Sequence, residues 1–152
     1  MPLKLADFDL CWRWTSQSHS VLPDEILQSI HPLSEVDAQS ACSIGLALLD
    51  NEHSLSGMLF DDIRTMSADM THEQGVHVFR SWHDNLDQPI TLSWESHLAV
   101  NTRWGVFSYF WDDFYYPGPD DLIIFPEDRS WAVHLSYDEA LELGRTTQSI
   151  HI

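Results

Sequence analysis

Residues 122–135 read LIIFPEDRSWAVHL, and this stretch predicts the fold more strongly than any other part of the chain. Its two apolar runs, 122–125 and 131–135, are rich in β-branched, aromatic and other apolar residues. The four residues between them, PEDR (126–129), are typical of turns. Two short β-prone runs joined by such a turn indicate an antiparallel hairpin.

The run ALELG (140–144) follows the hairpin and permits two structures. Its two leucines occupy alternate positions and a glycine ends it, which favours a third strand. The alternative is a helix capped by Ser136, with Glu139 completing a capping box. We favour the strand, so the chain should end in a β-hairpin or a three-stranded meander.

Hydrophobic periodicity upstream of the hairpin predicts six further elements. Apolar residues at every second position predict strands over 8–14 and 90–94. Apolar residues three and four apart predict helices over 23–30, 34–50, 67–86 and 102–114. Ser34 resembles the N-cap of the second of these helices. The sum is a single α+β domain over 1–152, with helices packed on one face of a mainly antiparallel sheet.

The composition limits the partners of this domain. Its 152 residues include 7 Lys and Arg against 24 Asp and Glu, a formal net charge of -17, together with seven Trp. A disordered acidic tail would lack the aromatic residues, so we expect a folded domain with an acidic surface. Binding to nucleic acid or to an anionic membrane needs basic clusters that this chain lacks. The charge instead indicates a basic protein partner.

Cysteine usage and apolar run length predict where the protein works. Cys11 and Cys42 have no metal-binding or disulfide-framework spacing, which is typical of reduced, packed thiols. The first ten residues, MPLKLADFDL, hold no apolar run long enough for a signal peptide. No segment approaches the 18 or so apolar residues that a membrane span needs. We therefore expect a cytoplasmic protein.

The densest candidate for function is WGVFSYFWDDFYYPGPDD (104–121), because an acidic docking face requires clustered charge. Spread evenly over roughly 7,900 Å² of surface, the net charge would place only about two negatives on a partner patch of about 800 Å². The predicted helix puts Asp112 and Asp113 in its last turn, where the helix dipole disfavours anions. Asp120 and Asp121 follow beyond the turn, so four carboxylates should lie close together.

Three interpretations of this segment compete: turn capping, an acidic docking surface with aromatic anchors, and a divalent-metal or acid/base site. Tyr and Trp are common anchors of protein interfaces, which supports the second. Four acids can ligate Mg²⁺ or Ca²⁺, but the alternating oxygen ligands of a calcium loop are missing. The predicted partner-binding residues are Trp111, Asp112, Asp113, Tyr115, Tyr116, Asp120 and Asp121.

Other catalytic chemistry has little support in the sequence. HEQGVH (72–77) is one residue longer than the zinc motif HExxH, so on a helix His72 and His77 point apart. The chain has no GxSxG, CxxC, Walker A or GxGxxG motif. His134 should face away from its apolar neighbours, as a solvated or backbone-bonded histidine. We predict no metal, no cofactor and no catalytic residue.

The C-terminal stretch 109–144 resembles a pattern found in small, acidic, uncharacterised bacterial proteins of the toxin-immunity type. In that pattern a Tyr-Pro-x-x-Asp-Asp turn leads into a hairpin with a central Trp and ends in an acidic residue and Gly. The matching residues are Tyr116, Pro117, Asp120, Asp121, Trp131, Glu139 and Gly144. The resemblance implies a small cytoplasmic protein without catalytic residues. Together with the negative charge, which would steer the protein to a basic cleft, it leads us to expect a non-enzymatic immunity-type inhibitor of a basic toxin such as a nuclease. A small metal-assisted hydrolase and a nucleic-acid mimic are the alternatives.

Overall fold

A seven-stranded sheet with antiparallel pairing throughout forms the centre of the protein, in a computed structural model that describes residues 3–147. The strands in chain order are β1 (Ser20–Val21), β2 (His31–Pro32), β3 (Asp62–Ser67), β4 (Pro89–Glu95), β5 (Leu98–Arg103), β6 (Leu122–Pro126), β7 (Trp131–Leu135) and β8 (Ala140–Arg145). The spatial order of the sheet is β2-β5-β4-β6-β7-β8-β3. The short strand β1 lies outside this sheet.

Six α-helices accompany the sheet within residues 3–147. They are α1 (Trp12–Thr15), α2 (Asp24–Leu27), α3 (Glu35–Ala47), α4 (His72–Trp82), α5 (Trp104–Tyr109) and α6 (Trp111–Phe114). The Ser34 hydroxyl caps α3 as predicted, accepting the Asp37 N–H at 3.3 Å. A reciprocal capping box between Thr71 and Gln74 starts α4. None of the helices in this part of the chain has the length and apolar character needed to cross a membrane.

The C-terminal meander is confirmed. Strands β6 and β7 form the predicted hairpin, with Leu122 opposite Leu135 and Ile124 opposite Val133. The run over 140–144 is a strand rather than a helix, and it pairs with β7 on one side and β3 on the other. Every residue of β6 and β7 is buried, which explains their nearly continuous apolar sequences.

The α+β class is confirmed, and the helices lie on both faces of the sheet. The first face, which carries Leu122, Ile124 and Val133, packs against the aromatic residues of α4, α5 and α6. The second face carries Ile123 and Phe125 and packs against α3 and the loop 48–61. The expectation of helices on one face is corrected here, because strands that are apolar on both sides need a cover on both sides.

The predicted strand over 8–14 is wrong. Residues 8–11 form turns between a 3₁₀ helix (Leu5–Asp7) and the single-turn helix α1. Phe8 and Trp14 stack with ring centroids 5.8 Å apart, and the Trp14 indole N–H donates to the Asp113 carbonyl. The side chains of Phe8 and Trp14 do lie on the same side of the segment, as the alternation indicated. They do so through a helical turn rather than a strand.

Two predicted helices begin later than expected. The first was expected from residue 67, but that residue ends β3, and α4 starts at His72. The second was expected from residue 102, but that residue belongs to β5, an unforeseen strand. The aromatic segment that follows is also broken at Phe110, which has φ −99° and ψ 26°, into α5 and α6. Asp112 and Asp113 therefore lie in the first turn of α6 instead of the last turn of a long helix.

Gly75 allows α4 to approach α6, which yields a prediction about stability. A Cβ at this position would lie 2.1 Å from Cε2 of Trp111. Gly75→Ala should therefore lower the free energy of unfolding by about 1–3 kcal/mol through overpacking, although the same change inside a helix normally raises stability by about 0.5–1 kcal/mol. Urea denaturation measures the effect.

Gly57→Ala is the matched control, because no atom lies within 4 Å of a Cβ built there. We expect it to change the free energy of unfolding by less than about 0.5 kcal/mol. Equal effects of the two substitutions would contradict the assigned packing of α4 on Trp111.

Candidate functional site

Asp120, one of the four predicted docking carboxylates, is buried in an ion pair. It is 5% exposed and faces Arg13, which is 4% exposed. The guanidinium donates two hydrogen bonds, from Nη1 to Oδ2 at 2.6 Å and from Nη2 to Oδ1 at 2.9 Å. The Tyr116 N–H also donates to Oδ2, at 2.8 Å. Asp120 thus caps its turn and neutralises a buried cation, and it presents no charge to a partner.

Asp112 and Asp113 are held by separate partners near the surface. Asp112 is exposed, and its Oδ1 lies 2.9 Å from Nδ1 of His72. Asp113 is half-buried and accepts the Ser20 hydroxyl at 2.6 Å. Burial raises the pKa of Asp113, and the negative charge of Asp112 raises it further. The hydrogen bond from the Ser20 hydroxyl lowers this pKa, but the net shift is upward. These two acids remain a small acidic patch at the surface.

Two of the three predicted aromatic anchors belong to the core. Trp111 is buried and donates its indole N–H to the His72 carbonyl at 3.0 Å. Tyr115 is buried and donates its hydroxyl to the Ser136 carbonyl, and burial raises the pKa of Tyr115 to about 12. Tyr116 is only half-buried, with the Arg13 guanidinium 4.1 Å from its ring centroid. Tyr116 alone of the three is positioned to meet a partner.

Asp121 points away from the other three acids, because successive side chains of an extended segment face opposite sides. It reaches the second face of the sheet, where its Oδ1 lies 2.5 Å from Nε2 of His134. On the other side of the imidazole, Nδ1 lies 2.9 Å from Oε1 of Glu142. His134 is 2% exposed. A buried histidine is therefore clamped between two carboxylates, one just before β6 and the other in β8.

This clamp forms part of an open cleft of about 580 Å³ on the second face, below called the acidic cleft. Four carboxylates and two histidines line it: Glu52, Asp121, Asp138, Glu142, His53 and His134. The loop 48–61 forms one wall, and the turn between β7 and β8 forms another. The Leu55 N–H donates to Oε1 of Glu142 at 3.2 Å and so ties the loop to the sheet.

The electrostatics of the acidic cleft favour a positively charged histidine. Burial alone lowers the pKa of His134, but the hydrogen bonds and negative charges of Asp121 and Glu142 outweigh it and raise the pKa above the usual 6.5. Even when the imidazole is protonated, it offsets only one of the four carboxylates. The cleft therefore keeps a net negative charge and suits a cationic group such as Lys or Arg.

Both ring nitrogens of His134 are engaged by carboxylates, so the ring has no free nitrogen to activate a nucleophile or a water. Within residues 3–147, no group of three or more His, Cys, Asp or Glu is arranged to hold a metal ion. Glu142 has both of its hydrogen bonds at Oε1. Its Oε2 has no hydrogen bond to any described residue and can accept a donor from outside.

Two members of the cleft correct or extend the sequence prediction. His134 lies on the face that was predicted, but it is neither solvated nor bonded to the backbone. Glu142 was not predicted as a site residue. The available signal was a pair of polar residues at alternating positions of two adjacent predicted strands, and the register indeed places His134 opposite Glu142.

Comparisons of the chain with protein-family models, with curated proteins and with solved structures found no match. Function is therefore inferred from the geometry and charge of the site itself.

The buried ion pair yields the first prediction for this site. Asp120→Asn leaves the Arg13 guanidinium without its counter-charge and should lower the free energy of unfolding by about 3–5 kcal/mol. Asp112→Asn is the control, because its exposed pair with His72 should contribute no more than about 1 kcal/mol. Urea denaturation at neutral pH compares them. A loss of less than about 1 kcal/mol for Asp120→Asn would mean that the pair does not hold the turn.

The pH dependence of stability tests the histidine clamp. Because the folded-state pKa of His134 is raised, the stabilisation from its protonation is fully present below about pH 6.5 and is lost as the pH rises through the folded-state pKa. The difference in the free energy of unfolding between the wild type and His134→Gln should therefore shrink between pH 6 and pH 9. Urea denaturation across this range measures it, and NMR titration follows the ring directly. A difference that stays constant or grows with pH would contradict the clamp.

Proposed function

We propose that this protein is a non-enzymatic binding protein that docks on a basic protein, as an immunity-type inhibitor of a basic toxin such as a nuclease. The observation that carries the proposal is the acidic cleft, a concave site in which four carboxylates lie around the imidazole of His134. Such a site recognises a Lys or Arg side chain through charge-assisted hydrogen bonds.

The charge of the whole chain supports the same partner class. A net charge of -17 attracts basic proteins over distances longer than a contact and repels acidic ones. Electrostatic attraction of this kind raises association rates and favours the correct partner more than it raises affinity. Toxins that act on nucleic acid carry basic clefts. The negative charge of this chain would therefore both speed their association and favour them over other partners.

A second surface can contribute to docking. Tyr116 lies beside Trp12, with ring centroids 6.0 Å apart, and Trp12 contacts His19, with ring centroids 4.5 Å apart. The exposed Asp112 and the half-buried Asp113 lie near this group. Exposed aromatic residues next to acidic ones are typical of interface anchors. Tyr116, Asp112 and Asp113 are the accessible residues of the predicted partner-binding set outside the acidic cleft. We propose that they make further contacts with the partner that binds the acidic cleft. We place the protein in the cytoplasm, where the free thiols of Cys11 and Cys42 stay reduced.

Neutralising the acidic cleft tests the proposal. The triple variant Glu52→Gln/Asp121→Asn/Asp138→Asn removes three negative charges and keeps the buried pair of His134 with Glu142. A partner is captured from the lysate of the native host, identified by mass spectrometry and purified. Its rate of association with the wild type and with the variant is then measured from 50 to 500 mM salt. We expect a basic partner whose association is about tenfold slower with the variant and less dependent on salt.

The control removes the same charge elsewhere, at the exposed residues Asp9, Glu25 and Asp84, as Asn, Gln and Asn. It should slow association by less than about twofold, because distant surface charges are screened at physiological salt. A captured partner that is not basic, or equal rates for both triple variants, would overturn the proposal. A higher melting temperature in Mg²⁺ or Mn²⁺ that the cleft variant abolishes would instead favour the metal-assisted hydrolase.

A further inference from the structure

The strand β3 is an open edge of the sheet. It is the last strand in the order and pairs with β8 only, in a regular register from Asp62 to Ser67 without a bulge. The opposite edge, β2, is only two residues long. Long, regular edges attract other strands, and most proteins protect them with bulges, short strands or a cover.

The hydrogen-bond alternation shows which backbone groups are open. The Ala68 N–H donates to the Glu139 carbonyl at 2.7 Å, which fixes the pairs that bond across β3 and β8. In an antiparallel pair, only every second residue bonds to the neighbouring strand, so residues 62, 64 and 66 bond to β8. The backbone N–H and C=O groups of Ile63, Thr65 and Ser67 therefore point away from β8. No residue in 3–147 hydrogen bonds to these outward groups. Three residues therefore offer their donors and acceptors to an added strand.

A different kind of site lies on each side of this edge. On the second face, Thr65 lines the acidic cleft. On the first face lies an open groove of about 550 Å³, below called the apolar groove after the residues Met66, Met70 and Val78. Its lining also includes four polar residues: Ser67, Glu73, Gln74 and His77. Side chains of an added strand would alternate between the two faces. Alternate residues would therefore enter the acidic cleft and the apolar groove.

The register brings a basic side chain within reach of the clamp. Thr65 stands opposite Glu142, and Glu142 stands opposite His134, so the three residues form one row across the sheet. An added residue opposite Thr65 would lie about 10 Å from the Cα of Glu142, two strand spacings away. The long stem of Lys or Arg can span that gap and donate to Oε2 of Glu142.

We propose that β3 binds an extended segment of a basic partner by strand addition, with alternating basic and apolar residues in that segment. The basic side chains would enter the acidic cleft, and the apolar ones would enter the apolar groove. The inference rests on the proposed function and adds to it the mode of recognition and the pattern of the recognised segment. A second copy of this chain does not fit the edge, because two chains of net charge -17 repel each other.

A synthetic peptide tests strand addition directly. The probe is acetyl-KVKVKVK-amide, compared with a scrambled peptide of the same composition and with the glutamine analogue QVQVQVQ. At 150 mM salt we expect the alternating peptide to bind at least tenfold more tightly than either comparison peptide. Amide hydrogen exchange should slow at Ile63 and Thr65 on binding and stay unchanged at Arg64, whose N–H already faces β8.

Substitutions at the edge separate the backbone contact from the side chain. Thr65→Pro removes an outward N–H without breaking the pairing with β8, and it should reduce binding of the alternating peptide at least tenfold. Thr65→Val keeps the N–H and loses only the hydroxyl, so it should bind within about twofold of the wild type. Unchanged amide exchange in β8 verifies that the proline variant stays folded.

The outcomes distinguish the inference from the proposed function. If the alternating and scrambled peptides bind equally and Thr65→Pro has no effect, strand addition is overturned while binding of basic partners stands. If neither lysine peptide binds more tightly than the glutamine analogue, the acidic cleft does not recognise cations and both proposals fall.

Discussion

The burial of β6 and β7 on both faces is the constraint on which the rest of the structure depends. A strand with two covered faces needs apolar side chains in both directions, and residues 122–126 and 131–135 supply them almost without interruption. The exception is His134, which sits on the second face with only 2% exposure. A polar ring in that position requires partners, and Asp121 and Glu142 provide them. The acidic cleft thus follows from the way the central strands are covered.

The predictable parts of the fold were those that depend on neighbours in sequence. The hairpin, the third strand and the cap of α3 need only local patterns, and the structure has all three. The errors arose where distant packing decides. Phe8 and Trp14 stack against each other and favour a helical turn in a segment with strand-like alternation. The exposed strand β3 carries little apolar signal, because most of its residues face solvent and its pairing with β8 spans more than 70 residues of chain.

The predicted site shows the same division. Four acids that are close in sequence were expected to act together, but each is engaged by a different partner, and three of these partners are 40 or more residues away in the chain. Asp120 and Asp121 are adjacent and still serve opposite sides of the sheet, since the chain is extended there. The partner of Asp120, Arg13, lies 107 residues away. Only the fold brings these groups together, so proximity along the chain was a poor guide to which carboxylates meet.

One oxygen atom, Oε1 of Glu142, serves both the imidazole of His134 and the amide of Leu55. The order of the loop 48–61 and the ionisation of the histidine are thereby linked through a single shared acceptor. A guest in the acidic cleft that attracts the Glu142 carboxylate would therefore change the free energy of ordering the loop. By reciprocity, ordering of the loop would change the affinity for the guest by the same factor. The free energy of ordering the loop 48–61 would therefore contribute to the affinity for any guest of the acidic cleft.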